Sequence, residues 1–274
     1  MIKSVSFWSF PGGMTIKEIL RTAKGLGFEA VELTVEAAGE ICLDTSADDL
    51  KRIRDLADGM GMQLPTVATG LHWGSPLVGP DPEACAKGIA ITKKTLEVAK
   101  IFGAQTVLAV PCTVTPEFPY DVAYERLVAL LQGELGDAAE AAGVYIGVEY
   151  VWNKFLLSPL EFRNMLDEVG RAFVAAYFDV GNVLASGYPD QWIRILGSRV
   201  KAVHFKDFRC SVGTIDGFID LLEGDVPWDR VMAALKGIGY DFAVTAEMMP
   251  PYAHFPLRLL EATSKSMDAI LGRA

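Results

Sequence analysis

Eight short apolar runs alternate with segments of helical periodicity along the 274 residues, and this alternation restricts the fold more than any other feature. The runs cover 5–8, 30–34, 63–69, 106–110, 145–150, 175–179, 201–205 and 242–247. Helices are expected over 15–26, 46–60, 82–102, 120–142, 159–169, 189–196, 227–238 and 256–271. Thr15, with Glu18 three residues on, has the form of a capping box. The phrases Gly27-Phe28-Glu29, Gly103-Ala104-Gln105, Gly143-Val144 and Gly239-Tyr240-Asp241 each stop a helix and start a strand. Near-continuous apolar strands belong to a parallel sheet covered by helices. Eight such units in this length, in a chain that is 51% hydrophobic, predict a single (β/α)8 TIM barrel of class α/β, with residues 1–274 as one domain. An open doubly wound sheet is the alternative, and no Gly-x-Gly-x-x-Gly follows a strand to make it a dinucleotide fold.

In such a barrel the active site forms where the strands end, so polar residues that finish apolar strands are informative. Gly147-Val148-Glu149, Tyr177-Phe178-Asp179, Ala202-Val203-His204 and Thr245-Ala246-Glu247 supply one ligand-type side chain from each of four successive strands. Neighbouring strands lie about 4.8 Å apart, so the four can meet over the barrel mouth. Three carboxylates at one point repel, and a divalent cation relieves that repulsion. Three oxygen ligands and one imidazole suit Mn²⁺, Mg²⁺, Co²⁺ or Zn²⁺, with Mn²⁺ favoured, and the lack of thiolate argues against a structural zinc or iron–sulfur site. Taken singly, each acid reads as a helix cap or salt-bridge partner and the histidine as a core residue. Their coincidence on successive strands carries the metal reading.

The phrases Gly-Val-Glu at 147–149, Phe-Asp-Val-Gly-Asn at 178–182, Val-His-Phe-Lys-Asp at 203–207, Glu-Gly-Asp-Val-Pro-Trp at 223–228 and Thr-Ala-Glu at 245–247 give the chain a family likeness in their order and spacing. It resembles the sugar isomerase/epimerase superfamily of xylose-isomerase-like barrels, which includes ketose 3-epimerases and endonuclease IV. The resemblance covers essentially the whole chain. It implies that Glu149 and Glu247 bind metal and also act as acid and base, while Asp179 and His204 complete the metal site. The implied reaction is 3-epimerisation of a ketose or ketose phosphate through a metal-stabilised enediolate. Aldose–ketose isomerisation and inosose-type dehydration fit the same site. A non-catalytic sugar-binding barrel is the reading from a different class. Many relatives carry a histidine three residues after the metal-binding aspartate, where this chain has Asn182, a hydrogen-bonding residue but a poor metal ligand. The histidine-rich three-zinc cluster of endonuclease IV cannot be built from His72, His204 and His254.

Loops after the strands are expected to hold substrate: His72 and Trp73, Asn153 and Lys154, Asn182, and Lys206 with Arg209, whose cations could meet a hydroxyl or a phosphate. Trp8 or Trp73 could stack on a sugar face. A formal charge of −10, from 25 Lys and Arg against 35 Asp and Glu, disfavours nucleic acid. Cys42, Cys85, Cys112 and Cys210 have no Cys-x-x-Cys spacing and are expected as reduced thiols. With no secretory leader and no run of about 18 apolar residues, a cytoplasmic protein off the membrane is expected. The partner is a small sugar or sugar phosphate, and relatives make a homodimer or homotetramer possible.

Overall fold

Strands buried on both faces need helices outside and side chains inside, and the apolar runs meet that need by closing on themselves. The computed structural model describes residues 1–248 and 251–273. Its strands are β1 (Ile2–Ser6), β2 (Ala30–Thr34), β3 (Thr66–Ala68), β4 (Thr106–Ala109), β5 (Tyr145–Glu149), β6 (Val174–Asp179), β7 (Val200–Phe205), β8 (Asp207–Phe208), β9 (Phe218–Ile219) and β10 (Ala243–Ala246). All but β8 and β9 form one closed parallel barrel in the order β1-β10-β7-β6-β5-β4-β3-β2. The helices are α1 (Ile16–Gly25), α2 (Ala47–Gly59), α3 (Pro82–Phe102), α4 (Tyr120–Gln132), α5 (Glu134–Ala142), α6 (Pro159–Val169), α7 (Pro189–Leu196), α8 (Trp228–Gly237) and α9 (Leu257–Ile270). The expected (β/α)8 barrel is therefore the fold.

Local chemistry explains most boundaries. Thr15 accepts from the Glu18 amide and Glu18 returns the bond, so α1 starts on the expected capping box. Gly103 and Gly143 end α3 and α5 at φ 68° and 69°, a left-handed conformation that a side chain would strain. Ala68, Leu108, Val110, Val151, Tyr177 and Ala202 form a buried apolar cluster with Trp8 packed against it. Among the described residues no helix is long and apolar enough to cross a membrane.

Four expectations shift. The first strand lies at 2–6 rather than 5–8, because Phe10 N donates to Phe7 O and winds Phe7–Ser9 into a 3-10 turn. The third strand shrinks from 63–69 to Thr66–Ala68, since Pro65 has no N–H for the ladder, although Gln63 still bridges Ala30. The helix expected over 120–142 breaks at Gly133, whose ψ of −113° lies outside the helical range. Finally, the sequence reading contained no β8–β9 hairpin, which pairs antiparallel through Phe208 and Phe218 beside the mouth.

Candidate metal and substrate site

Glu149 closes β5, Asp179 closes β6, His204 lies on β7 and Glu247 follows β10. A register shift between Ala176 and Tyr177 brings Asp179 level with His204. One potential ligand atom from each of the four residues lies within 4.8 Å of all the others, and all four side chains are buried. His204 Nδ1 is 2.8 Å from Glu247 Oε2, 3.8 Å from Glu149 Oε1 and 3.9 Å from Asp179 Oδ2. Asp179 Oδ1 accepts from the amides of Gly181 and Asn182, both at 2.8 Å, which fixes its carboxylate. Asp179 Oδ2 and His204 Nδ1, though buried, make no hydrogen bond; their close neighbours are Lys206 Nζ at 3.2 Å and Glu247 Oε2 at 2.8 Å, which are ionic contacts. Two buried atoms without a hydrogen bond, converging on one point alongside two more carboxylates, form a donor set that fits a divalent cation.

Lys206 lies over this group, with Nζ 2.9 Å from Glu247 Oε2 and 3.2 Å from Asp179 Oδ2. Gly181 permits the approach, because a Cβ there would stand 2.7 Å from Lys206 Cβ. Burial pushes the Glu149 carboxyl up to about 7, with His204 and Lys206 opposing. Burial would also raise Glu247, but the Lys206 ammonium and His204 outweigh it and hold that carboxyl down at about 2. For His204, burial favours the neutral ring, yet the carboxylates of Glu32 and Glu247 keep its pKa well above the ordinary histidine value. Burial likewise opposes the charge of Lys206, and Asp179 and Glu247 hold its pKa above the usual lysine value. Two glutamates of one chemistry are thus split, one carrying a proton near neutrality and one ionised.

Above the group opens a cavity of about 880 Å³, walled by Trp8, Leu108, Val110, Val151, Trp152 and Phe218, with Glu149, Glu247, Asn182 and Lys206 at its polar side. Trp73, Ile215 and Asp216 also line it. The expected substrate residues divide. Trp73, Asn182 and Lys206 face the cavity, and Asn182 Nδ2 donates to Glu149 Oε1 at 3.2 Å and to Tyr150 O at 3.3 Å. His72, Asn153, Lys154 and Arg209 are not part of its wall. His72 is turned into the core, with Nε2 3.0 Å from Thr92 Oγ1 of α3, and burial lowers its pKa to about 4. Asn153 donates to Cys112 O and accepts from Val114 N, tying two loops together. Lys154 is exposed at φ 59°, and Arg209 braces Glu223 O on the hairpin side.

Asp207 carries the wall that the sequence reading left unassigned. Buried, it accepts from the amides of Phe208, Leu222 and Val226 and from Trp228 Nε1 at 2.9–3.1 Å. The Glu-Gly-Asp-Val-Pro-Trp phrase is therefore a clamp: Trp228 supplies a donor, and Gly224 has no Cβ to strike the carboxylate. Glu32 is a second residue the sequence reading missed. It is fully buried on β2 and bonds His204 from below. Its signal was a lone acid inside the apolar run Ala-Val-Glu-Leu-Thr. Burial alone would raise its pKa, but His204, Tyr177 and Thr66 reverse this and hold it below the ordinary carboxylate range.

The fold and site define a (β/α)8 barrel with a buried carboxylate–imidazole group at the C-terminal mouth. The chain belongs to the xylose isomerase-like TIM barrel family, whose description matches residues 20–269. It is 26% identical over 251 residues to the L-ribulose-5-phosphate 3-epimerase UlaE of Salmonella paratyphi A, spanning 90% of this chain and 87% of that one. Among solved structures it resembles the IOLI protein with a bound zinc atom (TM-score 0.83, 20% identity, 100% of this chain and 99% of that one). It also resembles D-psicose 3-epimerase with D-tagatose from Clostridium cellulolyticum H10 (TM-score 0.79, 18% identity, 99% and 97%).

Proposed function

We propose that the chain is a divalent-metal-dependent sugar epimerase that inverts C3 of a ketose, with Mn²⁺ as the first ion to try. One observation carries this reading. In the strand order β10-β7-β6-β5, Glu149 and Glu247 are the outer members of the four, so their carboxyls flank the point on which Asp179 and His204 converge. A substrate carbon held there has a carboxyl on either side. The relatives named above as 3-epimerases support the same class.

Glu149, Asp179, His204 and Glu247 would hold the ion, which when bound supplies Lewis-acid stabilisation of negative charge on the ketose oxygens. The remaining chemistry belongs to the chain. Ionised Glu247 takes the proton from C3; the C3–H electron pair delocalises onto the C2 carbonyl oxygen. Protonated Glu149 gives its proton to the opposite face of C3, and the carbonyl re-forms at C2. In the reverse direction the two exchange roles. Lys206 Nζ is placed to donate to a substrate oxygen, and Asn182 Nδ2 holds the Glu149 carboxyl in position.

The substrate we assign is an unphosphorylated ketose. Among the described lining residues, Lys206 is the one cation, and it is already paired with Asp179 and Glu247. Asp216 adds a negative charge, and the aromatic walls suit the C–H faces of a sugar. A phosphate dianion left without a partner there would lose more than about tenfold in affinity. A panel of pentuloses, hexuloses and their phosphates with Mn²⁺, analysed by NMR, tests this. A neutral ketose should become its C3 epimer with kcat/KM at least about tenfold above that of its phosphate. Preference for the phosphate would overturn the substrate, and an aldose or a dehydrated product would overturn epimerisation.

A further inference from the structure

Beneath the four-residue group, the barrel interior holds a second ionisable side chain that the proposed reaction does not use. Glu32 stands on β2 and His204 on β7, and β1 and β10 separate them in the sheet, so their 2.9 Å contact crosses the barrel interior. Glu32 Oε2 receives two hydroxyl donors, Thr66 Oγ1 at 2.7 Å and the Tyr177 hydroxyl. Oε1 is thereby left to His204 Nε2. The Tyr177 ring also lies against the imidazole, with centroids 4.5 Å apart, so the ring has little freedom to turn.

We infer that Glu32 is a positioning residue that fixes the proton of His204 on Nε2 and so reserves the Nδ1 lone pair for the cation. The inference rests on the metal site of the proposed function. A carboxylate only accepts hydrogen bonds, so a partner nitrogen at 2.9 Å must donate. With Nε2–H spent on Glu32, the neutral ring has its free lone pair at Nδ1, the atom that faces Glu149, Asp179 and Glu247. A negative partner on the far nitrogen also makes the ligating nitrogen more basic, and loss of such a partner weakens metal affinity about 10–100-fold. Thr66 and Tyr177 keep Glu32 from rotating away and extend the support to β3 and β6.

Zn²⁺ binding by the full chain tests the inference without any substrate, so a wrong epimerase assignment leaves the test intact. Chelator competition should show Glu32→Gln binding Zn²⁺ about 10–100-fold more weakly than the parent chain, with the far-UV spectrum of the metal-free protein unchanged. Glutamine keeps the shape but lacks the charge, and with its amide turned to His204 it would move the ring proton to Nδ1. Because a substitution at a buried position can disturb folding, the unaltered protein supplies the second measurement. With three histidines in the chain, ¹⁵N–¹H ring correlations of the Zn²⁺-loaded protein should show His204 protonated at Nε2 and bare at Nδ1. A proton on Nδ1, or Zn²⁺ affinity within about twofold of the parent in a folded Glu32→Gln protein, would overturn the inference. A parent chain that binds no Zn²⁺ would overturn both it and the metal site.

Discussion

Glu149→Gln and Glu247→Gln should each lose about 10³-fold or more in C3 inversion while keeping a larger share of their metal. Glutamine preserves volume and offers one neutral oxygen, so the ligand cluster loses a charge but not its shape. Proton transfer has no such fallback, because an amide neither accepts nor releases a proton near neutrality. Removing a general acid or base costs about 10²–10⁴-fold, and here each glutamate is also a potential ligand, which places the loss toward the upper end. Asp179→Asn should differ in kind: Asp179 has Oδ1 fixed by two amides and Oδ2 turned to the cluster, so its loss falls on metal content first. Measuring turnover and bound metal on the same preparations separates the two roles. A glutamine variant that holds full metal and inverts C3 at more than about a tenth of the parent rate would remove that residue from proton transfer.

The second large effect is the dependence of metal binding on pH. In the metal-free chain burial places Glu149 at about 7, and His204 is held well above its ordinary value by Glu32 and Glu247 against the effect of burial. An ion binding near neutrality must displace the Nδ1 proton of His204, so the logarithm of its affinity should climb by about one per pH unit there, while Glu149 keeps the proton it transfers to C3. Glu247, at about 2, is ionised throughout and contributes no slope. Stability of the metal-free fold follows the same groups. Both have folded pKa values above their unfolded ones, so their contribution is complete below the unfolded value and lost as pH rises through the folded value. For Glu149 that window runs from 4.5 to about 7 and is worth on the order of a few kcal/mol. Metal-free protein should therefore weaken from about pH 5 to about pH 8 while saturating metal adds about 4 kcal/mol, and the gap in Tm should widen to about 8 °C or more. Thermal scans with and without chelator measure it. A gap that is constant or narrows with rising pH would contradict the assignment.

The barrel and the four-residue group were legible because both follow from periodicity. A parallel strand buried on both faces is apolar along its length, so the acid or imidazole at its end stands out, and the fold carries every strand end to one mouth. What was not legible depends on direction. His72, Asn153, Lys154 and Arg209 each follow a strand closely, but a loop residue a few positions on can turn either way: His72 faces α3, and Asn153 faces the neighbouring loop. Glu32 escaped for the opposite reason, since a polar residue within a strand signals an interior contact whose partner, here on β7, lies across the barrel. The hairpin wall escaped because each of its strands is two residues long, too short to show an alternation.

Glu149 and Glu247 are proposed to move a proton at C3 of a ketose held over a metal bound by these four residues. Incubating metal-loaded protein with L-ribulose or D-psicose in heavy water and following C3 by NMR tests it most directly. Deuterium should appear at C3 of the inverted sugar with the carbonyl retained at C2, and chelation should abolish both inversion and exchange. Inversion that keeps the original hydrogen at C3, or exchange that persists undiminished after the metal is removed, would contradict it.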